Sequence, residues 1–153
     1  MGSENIHIKR LENWPSLLSE FLERKSKEEF AWGINDCLIF PADCVAALTG
    51  VDFAAPYRGK YSTESEALEY AARLNGIELP EGETCGTSAI ITAFLGERRQ
   101  NALQGQRGDV VVALIGDHIT GGIIDDTGRR AAFVTFKGLI RLPIKATMRV
   151  WGY

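Results

Sequence analysis

The chain has 153 residues, of which 45% are hydrophobic, enough apolar content for one packed core and too little length for two. Lysine and arginine number 17 against 20 acidic residues, and the net charge of -3 gives no electrostatic reason to expect nucleic acid or an anionic membrane as a partner. No apolar run approaches the roughly 18 to 20 residues that span a bilayer, and the charged opening from Met1 to Arg10 leads into no signal-peptide core. The expectation is one domain over residues 1–153, with no membrane span and no export signal.

From Leu11 to Phe30 the residues Leu11, Trp14, Leu17, Leu18, Phe21 and Leu22 recur at helical spacing among glutamates and lysines. Pro15 stands where a first helical turn tolerates it, so the stretch reads as an amphipathic helix packed on the core. The segment Phe30 to Gly50 is the one around which the chain is organised. Its aromatic start is loop-like, Asn35 and Asp36 offer capping side chains just before Cys37, and Gly50 supplies the stop. Phe40, Pro41, Cys44, Val45 and Leu48 continue from Cys37 at helical spacing. Pro41 has no N–H to give a carbonyl four residues back, so the regular helix is expected to begin either at Cys37 or nearer Phe40 and Pro41, with Cys37 then in an irregular first turn.

Val51 to Ser62 reads as a loop in which Tyr57-Arg58-Gly59-Lys60-Tyr61 places two cations between tyrosines that pack down on the body. Thr63 followed by Glu66 predicts a capping box for a helix reaching Leu74, with Ala67, Leu68, Ala71 and Leu74 inward and Asn75-Gly76 ending it. A further helix is expected from Thr87 to Leu95, stopped by Gly96, before the polar passage Glu97 to Gln100. From Asp109 onward the period changes to that of short strands: Val110–Ile115, Ile119–Ile124, Ala131–Phe136, Leu139–Leu142 and Thr147–Trp151, separated by glycine, aspartate and proline turns. Helices first and strands afterwards predict an α+β domain, with N-terminal helices packed on a C-terminal antiparallel β-meander.

Three cysteines, Cys37, Cys44 and Cys85, with no two-residue spacing suggest neither a disulfide framework nor a zinc site. Cys37 has two readings. At a helix start, unpaired N–H groups and the positive end of the macrodipole favour the nucleophilic thiolate; at the edge of a buried stripe, a cysteine is a small core residue. A thiolate needs a base, and of the two histidines, His7 and His118, only His118 lies beyond the N-terminal segment. Placed at the start of the second strand, it would face the helix start, with Thr135 on the neighbouring strand orienting the imidazole and the Cys37 backbone N–H serving as an oxyanion donor. Its alternative is an exposed histidine beside a turn. Asp125 and Asp126 are adjacent on a hairpin, point apart, and read as turn residues.

The order Trp32-Gly33-x-x-Asp36-Cys37-x-x-Phe40, a helix closing on Thr49-Gly50, then Gly108-Asp109-Val110-Val111 and a glycine-containing strand, resembles the NlpC-like branch of papain-like cysteine peptidases. In particular it is similar to a small, uncharacterised group encoded among the tail genes of tailed bacteriophages. Residues 30–52, 57–61, 108–112 and 138–151 carry the likeness. It implies a papain-like fold and cleavage of peptide or amide bonds in bacterial cell-wall peptides, with no metal or cofactor. It also implies a place in the virion tail beside neighbouring tail proteins, after synthesis in the bacterial cytoplasm. Cys37 matches the family nucleophile. Aligning Gly122-Ile123 with the family's His-x-Gly-Ile pattern puts Thr120 where the histidine stands, with His118 two residues earlier, on the same side and about 6 to 7 Å away unless a bulge near Gly121 and Gly122 returns it. The third family position falls on Thr135. The resemblance therefore leads to two functions, a cysteine peptidase acting as the phage enters the cell, and a catalytically silent tail-tip component that keeps the fold. A cytoplasmic thiol enzyme with an amide substrate is a third reading of the same fold.

Overall fold

A computed structural model describes residues 8–75, 87–96 and 104–153. The first helix, α1 (Trp14–Lys25), carries a proline in its first turn and buries Leu18, Phe21 and Leu22. It is shorter than the apolar spacing suggests, because that spacing lapses after Leu22 and Arg24 and Lys25 end the helix where cations suit the macrodipole. Lys25 is nearly buried and bonds Asp43 at 2.7 Å and Glu28 at 2.9 Å, which satisfies an ammonium that would be costly there unpaired.

The next helix, α2 (Ile39–Thr49), buries Ile39, Phe40, Pro41, Ala42, Cys44, Val45 and Leu48, so nearly its whole circumference is apolar. A helix of that kind needs cover on every side. Phe40, Cys44 and Leu48 cluster with Leu18, Phe21 and Leu22 of α1 and with Ile123 and Val134 of the sheet. Ile39, Ala42 and Val45 cluster instead with Ile91, Leu95, Val110, Val112 and Trp151. The helix ends at Gly50, whose left-handed φ of 82° lets its N–H bond the Ala46 carbonyl at 2.8 Å.

Helix α3 (Glu64–Asn75) starts on the predicted capping box, with the Glu66 N–H donating to Thr63 Oγ1 at 3.2 Å and the Glu66 carboxylate returning to the Ser62 N–H at 2.9 Å. Helix α4 (Thr87–Leu95) buries Ile90, Ile91 and Leu95, and its Thr92 hydroxyl accepts the Trp151 indole N–H at 3.1 Å. Gly76, Cys85, His7 and Glu97 to Gln100 lie outside the described residues.

The strands are β1 (Val110–Ile115), β2 (His118–Ile124), β3 (Arg130–Thr135), β4 (Gly138–Pro143) and β5 (Thr147–Trp151). They form a five-stranded antiparallel sheet in the order β4-β3-β2-β1-β5. The α+β class and the segregation of helices and strands are thus as expected, whereas the meander covers only β1 to β4. Pro143 closes β4, a 3₁₀ turn at Ile144–Ala146 follows, and β5 pairs with β1 on the opposite edge. That placement explains the unbroken apolar run of β1, which has a strand on each side and cover on both faces. Val110 and Val112 meet the helices, while Val111 and Ala113 pack with Ile124, Ala131, Phe133 and Val150. Among the described residues no helix is long and apolar enough to cross a membrane.

Asp125 and Asp126 do not point apart. Both reach Arg141, at 2.8 and 3.2 Å, because Asp125 turns inward and becomes fully buried while its other oxygen accepts the Thr127 N–H at 2.9 Å. Their role is still that of a turn, now pinned to β4.

Candidate active site

Three residues ahead of Asp36, Gly33 adopts a φ of 78°, and a Cβ there would run into the Tyr61 carbonyl oxygen. Only glycine combines that backbone with that approach. The bend aims the Gly33 N–H at Asp36 Oδ2, 2.8 Å away, and the Tyr61 hydroxyl donates to the same oxygen at 2.7 Å. Asp36 Oδ1 accepts the backbone N–H groups of Leu38 and Ile39, each at 2.9 Å. The fully buried carboxylate therefore receives four donors and caps the start of α2. Cys37, the next residue, lies in the turn ahead of the regular helix at Ile39, the second of the two starts that the sequence left open.

Cys37 is 8% exposed and lines a cleft of about 110 Å³ with His118, Glu64, Thr120, Thr135 and the apolar residues Phe30, Trp32, Ile115, Ile119, Val134 and Phe136. The sequence candidates Cys37, His118 and Thr135 thus come to one place, together with Thr120. Sequence reasoning missed Glu64. Its Oε1 stands 3.0 Å from His118 Nδ1, both side chains being partly exposed at the cleft. With Nδ1–H donating to that carboxylate, Nε2 is the acceptor of the ring, the arrangement that prepares an imidazole to take a proton. The only signal available beforehand was an acidic residue in the first turn of α3, which helix-dipole reasoning alone explains.

Thr135 is placed differently from its expected role. Its Oγ1 donates to the Gly138 carbonyl at 3.0 Å and accepts the Lys137 N–H at 3.2 Å, so the hydroxyl builds the β3–β4 turn and Glu64, not Thr135, meets the imidazole. Nor does a bulge move His118 along its strand: the β1–β2 register runs unbroken from Val110↔Ile123 to Ile115↔His118. Pairing of β2 with β3 ends at Gly122↔Phe133, and the cleft occupies the stretch beyond it, between Ile119 and Thr120 on one strand and Val134 and Thr135 on the other. Gly122 is required at that last pair, since a Cβ there would meet the Ala132 carbonyl and the Phe133 ring.

The second described cysteine behaves as a core residue. Cys44 is fully buried, burial pushes its thiol up to about 12, and its sulfur lies 3.9 Å from the Tyr153 hydroxyl. That hydroxyl donates to the Gly108 carbonyl at 2.6 Å. The other cluster singled out in the sequence is also accounted for structurally. Tyr57 and Tyr61 are buried, and Arg58 bonds both Asp52, at 2.9 Å, and Asp43, tying the loop after α2 to that helix. Hydrogen bonding from Arg58 holds the Asp52 carboxyl below its ordinary value.

A thiol at a capped chain turn, sharing an apolar cleft with a histidine–carboxylate pair on an α+β scaffold, defines a candidate site for thiol chemistry. Residues 9–153 match the family described as "Domain of unknown function (DUF6950)", and the chain belongs to that family. Neither the curated proteins nor the solved structures contain a match to this chain.

Proposed function

We propose that this protein is an NlpC-like cysteine peptidase or amidase that acts on bacterial cell-wall peptides from a phage tail as the phage enters the cell. The observation that carries the chemical part is the shared cleft of Cys37 and the His118–Glu64 pair. The cell wall and the phage tail come from the sequence resemblance. In this reading His118 Nε2 takes the Cys37 thiol proton as the sulfur attacks the substrate carbonyl carbon. The tetrahedral oxyanion collapses to a thioester, and His118 returns the proton to the departing amine. Water, deprotonated by the same imidazole, then releases the acid and restores the thiol.

The test is hydrolysis of purified peptidoglycan, with Cys37→Ser and His118→Ala each expected to abolish product release. Cys37 is also expected to react with iodoacetamide faster than Cys85 and faster than Cys44, whose buried thiol stays protonated. Equal, slow labelling of all three thiols would overturn the proposal.

One observation favours a second reading, a catalytically silent component of a tail tip bound to its neighbours through its loops. His118 at the cleft is half exposed, and in the sequence resemblance Thr120 falls where the family histidine stands. That reading predicts infectious Cys37→Ser phage and an isolated protein that leaves cell walls intact.

A further inference from the structure

The cleft's walls are largely aromatic and aliphatic. Phe136 is 78% exposed, the most exposed of the protein's large buried-type side chains among the described residues, yet it is not loose. Its ring centroid lies 4.5 Å from Phe30 and 6.3 Å from Trp32, and Phe30 and Trp32 meet edge to face at 4.9 Å. The turn that carries Phe136 is fixed by the two hydrogen bonds of Thr135 Oγ1. Three rings thus form a preset apolar wall that adjoins Cys37. The charge in the cleft is selective. Among the described residues lining it, the ionisable side chains besides the thiol are Glu64 and His118, and there is no lysine or arginine. A substrate carboxylate seated here would lose water, gain no cation and lie near the anionic Glu64. An ammonium, by contrast, would find the ring faces and the Glu64 oxygen that His118 does not engage, so the exclusion applies to anions.

Resting on the hydrolase reading, we infer that the protein takes amides whose side chain next to the cleaved bond is apolar, seated on Phe30, Trp32 and Phe136, and rejects carboxylate-bearing ones. Within cell-wall peptides this directs it away from a bond whose flanking side chain carries a free carboxylate.

The experiment measures binding in the Cys37→Ser protein by NMR, following the Trp32 indole N–H. The ligands are the N-acetyl amides of phenylalanine, leucine and glutamate. The phenylalanine and leucine amides are expected to shift that resonance and to bind at least about tenfold more tightly than the glutamate amide. Phe136→Ala is expected to remove most of that preference, and thermal unfolding checks that this exposed position leaves the fold intact. Equal affinities, tighter binding of the glutamate amide, shifts confined to other parts of the protein, or an undiminished preference in Phe136→Ala would each overturn the inference. Because nothing is turned over, loss of the preference leaves hydrolysis untouched. A wild-type protein that shows the preference and cuts no amide overturns the hydrolase reading alone.

Discussion

Removing the Asp36 carboxylate should unfold the start of α2 and much of the protein's stability with it. In Asp36→Ala the Leu38 and Ile39 N–H groups lose their cap, which costs about 1 kcal/mol. The Gly33 N–H and the Tyr61 hydroxyl lose their acceptor in surroundings closed to solvent, at about 1 to 3 kcal/mol each. The sum is about 3 to 7 kcal/mol, a large part of the roughly 5 to 15 kcal/mol that holds a domain together. At this chain length it corresponds to a fall in melting temperature of about 6 to 28 °C. Asp36→Asn should cost roughly half as much, since one oxygen still caps the turn while the amide group opposes the Gly33 N–H. The assay is thermal and urea unfolding of both variants, alone and combined with Tyr61→Phe. Tyr61→Phe should cost less in the Asp36→Ala background than in the wild type, because the two groups share one hydrogen bond. A melting shift below about 3 °C for Asp36→Ala, or equal Tyr61→Phe costs in both backgrounds, would refute the assignment of Asp36 as the organiser of this turn.

Four further outcomes are expected. For peptidoglycan hydrolysis, His118→Ala should reduce kcat/KM by about 10² to 10⁴, Glu64→Gln by about tenfold, and Thr135→Ala least of the three, since the threonine hydroxyl serves the turn. Cys44 is raised by burial from 9.0 to about 12, so its contribution to stability is complete below pH 9.0 and drains away as pH rises from there toward 12. Cys44→Ala, followed by urea unfolding from pH ~8 to ~11, should therefore show a flatter alkaline decline than the wild type. Asp52 is depressed below 3.8 by Arg58, so its contribution is present above pH 3.8 and lost as pH falls through the lower folded value. The pair is about one-third exposed and worth less than about 1 kcal/mol, and Arg58→Gln should move acid unfolding, read by circular dichroism, to slightly higher pH. Gly33→Ala should cost about 2 to 4 kcal/mol in thermal unfolding, and Gly50→Ala, with a similar φ but open space for its Cβ, about 1 kcal/mol.

The amino-acid order by itself determined what depends on neighbours a few residues apart. Helical spacing, the Thr63 and Glu66 capping box, the stop at Gly50 and the period-two strands are local effects of backbone sterics and side-chain reach, and they are legible along the chain. The sequence left two starts open for α2, at Cys37 or nearer Pro41, and the structure settled on Ile39, with Cys37 in the turn before it. Tertiary structure alone decided which edge β5 joins: it pairs with β1, whose Val110 and Val112 are buried with the helices, rather than with β4. It also decided that Glu64, rather than Thr135, meets His118, a contact across 54 residues that leaves no periodic trace. The physical reason is common to both: a pairing between distant segments is chosen by the packing of everything between them, and no local pattern encodes that choice.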